Sequence, residues 1–442
     1  ILEYKEIRFE QDIETSLINS GGYIKGDMST YDKANAVDLH KLLSFIKTTQ
    51  ENEWERYEKI YGKDSEKKLL KRFCEETATH GLLHVLRNGI NDRGVKFKVC
   101  DFKPESTLND KLVKGYKANI MTVTRQFAYS NENNNTIDMV LSLNGIPLVA
   151  LELKNQITGQ SVENAMKQFR EDRNHRELCF QFNRRFLVYF AVDLYEIAMA
   201  TQLNGDKTFF LPFNQGSGGA GNVGGSGNPE NPDGYNTSYL WENVLTKESL
   251  LNIIQRFLHV SIEKKKVTKD GKDTYKTSKK LIFPRYHQLD VVTKIMDDVK
   301  RNGSGKNYLI QHSAGSGKSN SIAWSSYRLA SLHDECNNSI FTSVIVVTDR
   351  KVLDSQLQDT ISSFDHTFGL VETIGDGKSS KDLRDAINDG KKIIVTTLQK
   401  FPVIYEEIES NKGKRFAIIV DEAHSSQTGS SAQKLKTALA DS

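Results

Sequence analysis

The sequence predicts an α/β protein with at least two domains, and three observations support that class. At 442 residues the chain is longer than one hydrophobic core usually serves. In its C-terminal part, short apolar runs alternate with stretches of helical spacing, which is typical of a parallel sheet covered on both faces. A glycine-rich turn joins an apolar run to a helical stretch within residues 307–329. We therefore expect one domain over residues 1–260, a basic linker over 261–282 and a second domain over 283–442.

The first domain is predicted to begin with helices and to continue with strands. Helical spacing covers residues 9–18, 38–61 and 66–86, and runs rich in Val, Thr and aromatic residues at 95–102 and 120–129 predict strands. Glu10 and Glu14 lie on or beside the apolar stripe of the first helix. We interpret Glu10 as a solvated flank of that stripe.

A β-hairpin is predicted over residues 136–154, and it carries three charged side chains among apolar neighbours. Asp138 lies on the first strand, whereas Glu152 and Lys154 lie two residues apart on the second. Residues two apart on a strand project from the same face. Burying such charges together is costly unless a metal ion or a counter-charge is present.

The turn at Asn144-Gly145 decides whether the two carboxylates share a face. A regular two-residue loop would place Asp138 opposite Leu151, on the wrong face for contact with Glu152. We predict instead an odd-length loop with Gly145 in a left-handed bulge, which returns Asp138 to the face of Glu152.

Two carboxylates and an ammonium on one face suit phosphodiester hydrolysis. Asp138 and Glu152 would hold Mg²⁺ through oxygen ligands, and the ion would lower the pKa of a bound water. Lys154 would orient that water or stabilise the transition state. The alternative is an ordinary strand end with a surface Glu/Lys pair, because short motifs match often by chance.

The helix predicted at 162–170 follows this hairpin. Its apolar face is clear, and Gln168 lies next to that face, from where it could point towards the three charges. Arg170 and Arg173 are interpreted as solvated side chains, with DNA phosphates as the less favoured alternative.

Two low-complexity stretches follow. Residues 215–234 are rich in glycine and are predicted to form a flexible loop. Residues 264–280 hold eight lysines and two aspartates. We interpret this basic stretch as a solvated connector rather than a DNA contact, because interleaved aromatic residues are nearly absent.

A phosphate-binding loop is predicted between residues 307 and 319. Apolar residues 308–310 would form a strand, the loop would follow, and a helix would open at Lys318. Lys318 would reach the β- and γ-phosphates, and Ser319 would ligate Mg²⁺. The strict pattern G-x-x-x-x-G-K-[ST] is not met, because His312 stands at its first position. The nucleotide-binding residues are then Gln288, Ala314, Gly315, Ser316, Gly317, Lys318 and Ser319. The alternative is an ordinary Gly/Ser turn.

Further strands are predicted at 344–347, 393–395 and 416–420, with a helix at 352–361 between the first two. The last strand delivers Asp421 and Glu422 at its carboxyl end, where ligands bind in parallel sheets. Asp421 would hold Mg²⁺, and Glu422 would polarise the water that attacks the γ-phosphate. Gln288, upstream of the loop, would read the adenine edge.

Composition excludes some classes of protein. The net charge of +3 gives no strong global field, so a nucleic-acid surface must be local. Four scattered cysteines without a C-x-x-C argue against a zinc site or a disulfide framework. The sequence contains no apolar run long enough to predict a membrane span, so we expect a soluble, cytoplasmic protein. Both ends of the sequence suggest a fragment of a longer protein.

Taken together, these segments resemble the R (HsdR) subunit of type I restriction enzymes. The helicase part is similar to superfamily 2 translocases, and Asp138, Glu152 and Lys154 resemble a PD-(D/E)xK nuclease. The matching segments of the helicase part are residues 285–288, HSAGSGKS at 312–319, VVTDRKVLDSQL at 346–357, TTLQKF at 396–401 and VDEAHSSQTG at 420–429.

The resemblance implies a PD-(D/E)xK-type endonuclease domain followed by a RecA-like P-loop lobe. It implies Mg²⁺-dependent cleavage of double-stranded DNA coupled to ATP-driven translocation. It also implies a complex with modification and specificity subunits, which would supply sequence recognition and S-adenosylmethionine binding. Gln168 and Glu14 are possible supports of the nuclease site.

The sequence departs from relatives in two ways. Many carry Q-x-x-x-Y, but Asp172 stands four residues after Gln168. A second helicase lobe is missing, so we expect the fragment to bind nucleotide but to hydrolyse it poorly. The main alternative is a DNA repair or remodelling translocase whose N-terminal domain only binds DNA or partners. An RNA helicase is a weaker alternative.

Overall fold

The structure is a computed structural model that describes residues 2–105, 107–269, 271–348, 351–364, 370–374, 377–400 and 413–422. The chain forms two compact units, residues 1–286 and 287–442. No helix among the described residues is long and apolar enough to cross a membrane.

The first unit contains helices and a large mixed sheet. Its helices are α1 Leu2–Asn19, α2 Leu39–Thr49, α3 Glu51–Tyr61, α4 Ser65–His80, α5 Leu82–Asn88, α6 Asp110–Ala118, α7 Val162–Glu171 and α8 Lys247–Arg256. Its strands are β1 Ile24–Lys25, β2 Ile90–Asp92, β3 Val95–Phe97, β4 Met121–Ala128, β5 Thr136–Leu143, β6 Ile146–Leu153, β7 Val188–Val192, β8 Ile197–Ala200, β9 Leu211–Pro212, β10 His259–Lys269 and β11 Lys272–Ile282.

Seven of these strands form one sheet in the order β1-β4-β5-β6-β7-β8-β9. The pairs β1–β4 and β6–β7 are parallel, and the other neighbours are antiparallel. Helix α7 packs on this sheet, as its apolar spacing predicted. Its buried Ala165 and Phe169 belong to the same core cluster as Val140 and Ala150, which project from the central hairpin.

The central hairpin confirms the predicted face but not the predicted loop. Leu143 pairs with Ile146, so Asn144-Gly145 is a two-residue turn, and the odd-length loop was wrong. Both turn residues have positive φ, 50° and 81°, as the tight hairpin turn requires. The register instead shifts by one residue farther along the strands, between Leu141 and Ser142. This β-bulge does what the longer loop was expected to do.

The segment predicted as a basic linker forms an antiparallel ribbon. Strands β10 and β11 pair along their whole length, from His259–Ile282 to Lys269–Lys272. Gly271, whose φ is 73°, lies in the turn where the chain folds back between the two strands. The glycine-rich stretch 215–234 contains no helix or strand.

In the part of the chain that the structure describes, the second unit contains a four-stranded parallel sheet with helices. Its helices are α9 Tyr286–Asn302, α10 Lys318–Ala330, α11 Lys351–Ser363 and α12 Ser380–Asn388, and its strands are β12 Ser343–Thr348, β13 Val371–Ile374, β14 Ile393–Thr397 and β15 Phe416–Val420. The strand order is β13-β14-β12-β15. The three apolar strands predicted after the phosphate loop are therefore confirmed, and β12 and β14 are fully buried.

The strand predicted at 308–310 was wrong. These residues form no regular element, and Leu309 is 89% exposed. Three apolar residues are too few to define a strand by themselves, and here they follow the turn residues Gly303 and Gly305, both with positive φ.

Candidate functional site

The first unit brings Asp138, Glu152 and Lys154 together at the end of the central hairpin. The register Met139–Leu151 places Asp138 directly opposite Glu152, on one face of the sheet. The backbone N–H of Leu153 donates to Asp138 Oδ2 over 2.8 Å. The Lys154 Nζ lies 3.9 Å from the same oxygen. The three predicted side chains thus form one cluster, in the arrangement that the hydrolysis hypothesis requires.

Glu152 is the most deeply buried member of the cluster, with 0% exposure. Arg173 Nε and NH2 donate to its Oε1 over 3.0 and 2.5 Å. Burial raises the pKa of Glu152 well above its usual range, and the charge of Asp138 adds to this effect, while Arg173 opposes it. Burial thus makes this carboxyl bind a proton more readily than an exposed glutamate would, and the adjacent Arg173 counteracts that tendency.

Arg173 was predicted to be solvated, and that prediction was wrong. Its side chain is 2% exposed and also donates to the carbonyl of Thr136 over 2.8 Å. The residue follows α7, and the end of the helix turns it inward against Glu152. The sequence offered one signal: a carboxylate on a buried strand needs a cation, and Arg173 is close to the helix that covers that strand.

Glu10 was predicted to be a solvated flank, and this was also wrong, because the residue is 6% exposed. Arg125 Nε and Gln126 Nε2 donate to its two carboxylate oxygens over 3.0 and 2.9 Å. Burial raises the pKa of Glu10 to about 7, with a further contribution from the charge of Asp138. The site therefore holds a third carboxyl, from α1, within electrostatic reach of Asp138.

A backbone irregularity brings Arg125 and Gln126 to the same carboxylate. Neighbours along a strand normally point to opposite faces. Gln126, however, has a φ of 49°, in the left-handed region that non-glycine residues rarely adopt. This residue lies in β4 beside Asp138, and both side chains reach Glu10. Strain of this kind clusters at functional sites.

Among the described residues, Glu14 and Gln168, the two possible supports, form no hydrogen bond to Asp138, Glu152 or Lys154. Glu14 Oε1 is 4.0 Å from Arg125 NH1, and its Oε2 is buried without a hydrogen-bond partner among the described residues. Gln168 Oε1 is likewise buried and unpartnered in the described part of the chain.

The cluster is compatible with a divalent cation, although the described residues contain no ready-made group of three or more metal-ligating side chains. The Glu152 Oε2 atom is buried and has no hydrogen-bond partner in the described part of the chain. A cation at this oxygen would offset the repulsion between Glu152 and Asp138. Carboxylate oxygens are also the ligands that Mg²⁺ prefers. The donor set therefore fits the metal predicted from the sequence.

The second unit contains a second cluster at the predicted phosphate loop. Gly315 and Gly317 have φ of 73° and 79°, and α10 begins at Lys318, directly after the loop. Such a loop directs backbone N–H groups inward at the N-terminus of a helix, where anions bind. His287 Nε2 lies 2.7 Å from the carbonyl oxygen of Ser316. Gln288 Nε2 donates to the carbonyl of Gly317 over 2.8 Å.

This hydrogen bond from Gln288 therefore supports the backbone of the loop. Its predicted role at adenine is a separate matter and stays a prediction. Ala314 and Gly315 line a cavity of about 740 Å³, and Ser319 lies in the first turn of α10, directly after Lys318. Lys318, Asp421 and Glu422 also line that cavity.

The acidic residues after β15 bind the loop lysine. Lys318 Nζ lies 2.9 Å from Asp421 Oδ1 and forms a second ion pair with Glu422. Partial burial alone would lower the pKa of Lys318, but these two carboxylates raise it above its ordinary value. The backbone N–H of Asp421 donates to the carbonyl of Val347, which fixes the acidic pair at the carboxyl end of the parallel sheet.

These two clusters describe a protein with a mixed α/β N-terminal unit that carries a buried carboxylate cluster, followed by an α/β unit with a glycine-containing loop at the start of a helix and an acidic pair at the end of a parallel strand. Comparison with known families agrees. Residues 287–442 match the SWI2/SNF2 ATPase family, and residues 10–208 match the N terminus of the type I restriction enzyme R protein.

The chain is similar along most of its length to endonuclease subunits of type I restriction enzymes. It is 25% identical over 82% of its length to the type I restriction enzyme MjaVIIIP endonuclease subunit of Methanocaldococcus jannaschii. It is 28% identical over 66% to the HindI endonuclease subunit of Haemophilus influenzae, and 23% identical over 72% to the SauCOLORF180P endonuclease subunit of Staphylococcus aureus strain COL. The chain spans 34%, 26% and 30% of these relatives.

Proposed function

We propose that this chain carries the DNA-cleaving site and the first ATPase lobe of a type I restriction subunit. The supporting observation is the juxtaposition of Asp138, Glu152 and Lys154 on one face of the sheet. The R-subunit family match covers the residues that form this site. The substrate would be double-stranded DNA. The relatives are named as endonuclease subunits, so partner subunits for modification and specificity belong to the same proposal.

The nuclease site would work as a PD-(D/E)xK site. Asp138 and Glu152 would hold Mg²⁺, which when bound supplies a water of lowered pKa and offsets negative charge on the phosphate. Lys154 would orient the water or stabilise charge in the transition state. Arg173 fixes the rotamer of Glu152 through two hydrogen bonds to one oxygen and leaves the other oxygen for the metal.

The second site would bind ATP and drive movement along DNA. The loop N–H groups would receive the phosphates, and Lys318 would move from Asp421 and Glu422 to the β- and γ-phosphates. Asp421 would then be released to hold Mg²⁺ together with Ser319. Glu422 would polarise the attacking water.

The test is a separation of activities in the full-length subunit assembled with its partner subunits. Lys154→Ala should abolish cleavage of unmodified DNA and leave DNA-stimulated ATP hydrolysis unchanged. The matched control is Lys167→Ala on α7, an exposed lysine that pairs only with Glu171. It should retain both activities. Unchanged cleavage in Lys154→Ala would refute the nuclease assignment and favour a translocase with a non-catalytic DNA-binding N-terminal domain.

A further inference from the structure

The ribbon formed by β10 and β11 carries a concentration of positive charge that neither proposed site uses. Residues 264–280, here called the basic ribbon, contain eight lysines and two aspartates, a net charge of +6. The whole chain has a net charge of +3, so the remaining residues sum to −3. The local field of the ribbon is therefore strongly positive, although the chain as a whole is nearly neutral.

The ribbon is firmly anchored, and its outer part is exposed. Its base is fixed by buried Leu281, whose carbonyl accepts a hydrogen bond from Thr201 over 2.6 Å, and by Phe283, which packs edge-on against Phe190. Beyond this base, every side chain that the structure describes within the ribbon is exposed. The two strands form a sheet of their own.

Folding alone does not account for the lysines of the ribbon. Among the described residues, two of these lysines form ion pairs: Lys266 with Asp273, and Lys280 with Glu263. Lys265 lies directly opposite Lys276, an arrangement of like charges that destabilises a strand pair. An isolated two-stranded ribbon is only marginally stable in water. Charges that weaken it are better explained by an anionic ligand.

The lysines occupy both faces of the ribbon. Because side chains alternate along a strand, the register divides the described lysines into two groups. One face carries Lys264, Lys266 and Lys279, and the other carries Lys265, Lys272, Lys276 and Lys280. An acidic protein surface would contact one face only. A groove of duplex DNA has a phosphate backbone on each side and meets both faces.

The dimensions agree with a groove. Val260 and Lys269 lie nine residues apart, which corresponds to roughly 30 Å at about 3.3 Å per residue. One turn of duplex DNA spans roughly 34 Å. The major groove, about 12 Å wide, admits a two-stranded ribbon. Lysines act as point charges and do not read bases bidentately, so the contact would be independent of sequence.

We infer that the basic ribbon enters a groove of duplex DNA and contacts both phosphate backbones. This inference rests on the proposed function, in which duplex DNA is the substrate. It adds a DNA-binding element that is separate from the carboxylate cluster and the phosphate loop.

The experiment measures binding of the full chain to a fluorescently labelled 30-base-pair duplex, without ATP and in a Lys154→Ala background. The ribbon variant replaces Lys264, Lys265, Lys276 and Lys279 with glutamine. The control variant replaces four exposed lysines elsewhere in the first unit, Lys59, Lys63, Lys67 and Lys114. Anisotropy is recorded over a range of salt concentrations.

Each phosphate contact contributes about 0.9 to the slope of log affinity against log salt, so loss of four contacts should reduce the slope by roughly 3 to 4. The ribbon variant should also bind at least about tenfold more weakly at low salt, whereas the control should lose far less. The melting temperature should not fall, because the opposed Lys265–Lys276 pair has been removed. Unfolding is thereby distinguished from loss of contact.

An affinity and slope equal to those of the control would overturn the inference. So would a ribbon variant that binds DNA normally but no longer assembles with the modification and specificity subunits, because the ribbon would then be a protein interface. The assay needs neither cleavage nor ATP hydrolysis. Its failure is therefore distinguishable from failure of the proposed function, which the Lys154→Ala cleavage test decides.

Discussion

Replacement of Arg173 by methionine should destabilise the first unit more than any exposed arginine substitution would. The change removes a guanidinium that is 2% exposed from a carboxylate that is 0% exposed. Four hydrogen bonds are lost: two to Glu152 Oε1, one to the carbonyl of Thr136 and one to the hydroxyl of Tyr129. Removing one partner of a buried ion pair costs about 3–5 kcal/mol, because the remaining charge is left uncompensated.

The actual cost should depend on pH, because Glu152 can escape the penalty by binding a proton. Its folded-state pKa is already raised by burial, and loss of Arg173 raises it further. A raised carboxyl pKa gives stability that is present below the unfolded-state pKa and is lost as the pH rises through the folded-state pKa. The Arg173→Met penalty should therefore be smaller at pH 5 than at pH 8.

Urea unfolding of the full chain, followed by tryptophan fluorescence, measures this penalty. At neutral pH the transition of the first unit should move down by about 1 M urea or more, given a dependence of roughly 3 kcal/mol per molar. Arg170→Met is the control, because Arg170 donates to the carbonyl of Thr208 and contacts the Phe210 ring but has no carboxylate partner among the described residues, so its loss should cost about 1 kcal/mol. Adding Glu152→Gln to Arg173→Met should recover most of the loss. The reasoning is refuted if Arg173→Met costs no more than Arg170→Met at neutral pH.

Three further predictions concern other residues of the two sites. Burial raises the folded-state pKa of Glu10 to about 7, so the free energy of unfolding of the wild type should fall as pH rises from about 4.5 to 7. In urea unfolding, Glu10→Gln should remove up to about 1.4 kcal/mol per pH unit of that slope, and an unchanged slope would contradict this prediction. Lys318→Ala should weaken binding of a fluorescent ATP analogue by about tenfold or more, and equal affinity would argue against a phosphate role. Gly317→Ala should weaken binding of the same ATP analogue more than Gly315→Ala does. Both glycines have positive φ, but a methyl group overlaps the Gln288 amide at Gly317 and meets open space at Gly315. Equal losses of affinity would count against the overlap.

Much of the fold follows from local patterns that the sequence displays openly. The apolar runs of β12, β14 and β15 predicted a parallel sheet, and the residue spacing of α7 predicted the face that it buries. The shared face of Asp138 and Glu152 was also predicted, although an odd-length loop was expected where the structure has a β-bulge. A bulge inside a strand leaves the same register as an odd loop, and nothing in the local sequence distinguishes the two.

The parts that were missed depend on contacts between distant segments. Glu10 lies 115 residues from Arg125 in sequence, and Arg173 lies 21 residues from Glu152. A charged residue on an amphipathic helix is usually solvated, and only the tertiary approach of a strand reverses that expectation. The basic ribbon was missed because lysine-rich composition resembles a connector, whereas its strand pairing depends on a turn at Gly271.

Titration of the full chain with Mn²⁺ in a calorimeter tests the carboxylate site most directly. In two buffers of different ionisation enthalpy near neutral pH, one ion should bind to the first unit with release of protons, because burial raises the pKa of metal-free Glu152 and a bound cation would lower it. Asp138→Asn and Glu152→Gln should each abolish that binding, whereas Glu163→Gln on the surface of α7 should not. Binding that survives both substitutions, or no binding by the unaltered chain, would contradict the proposed metal-dependent nuclease.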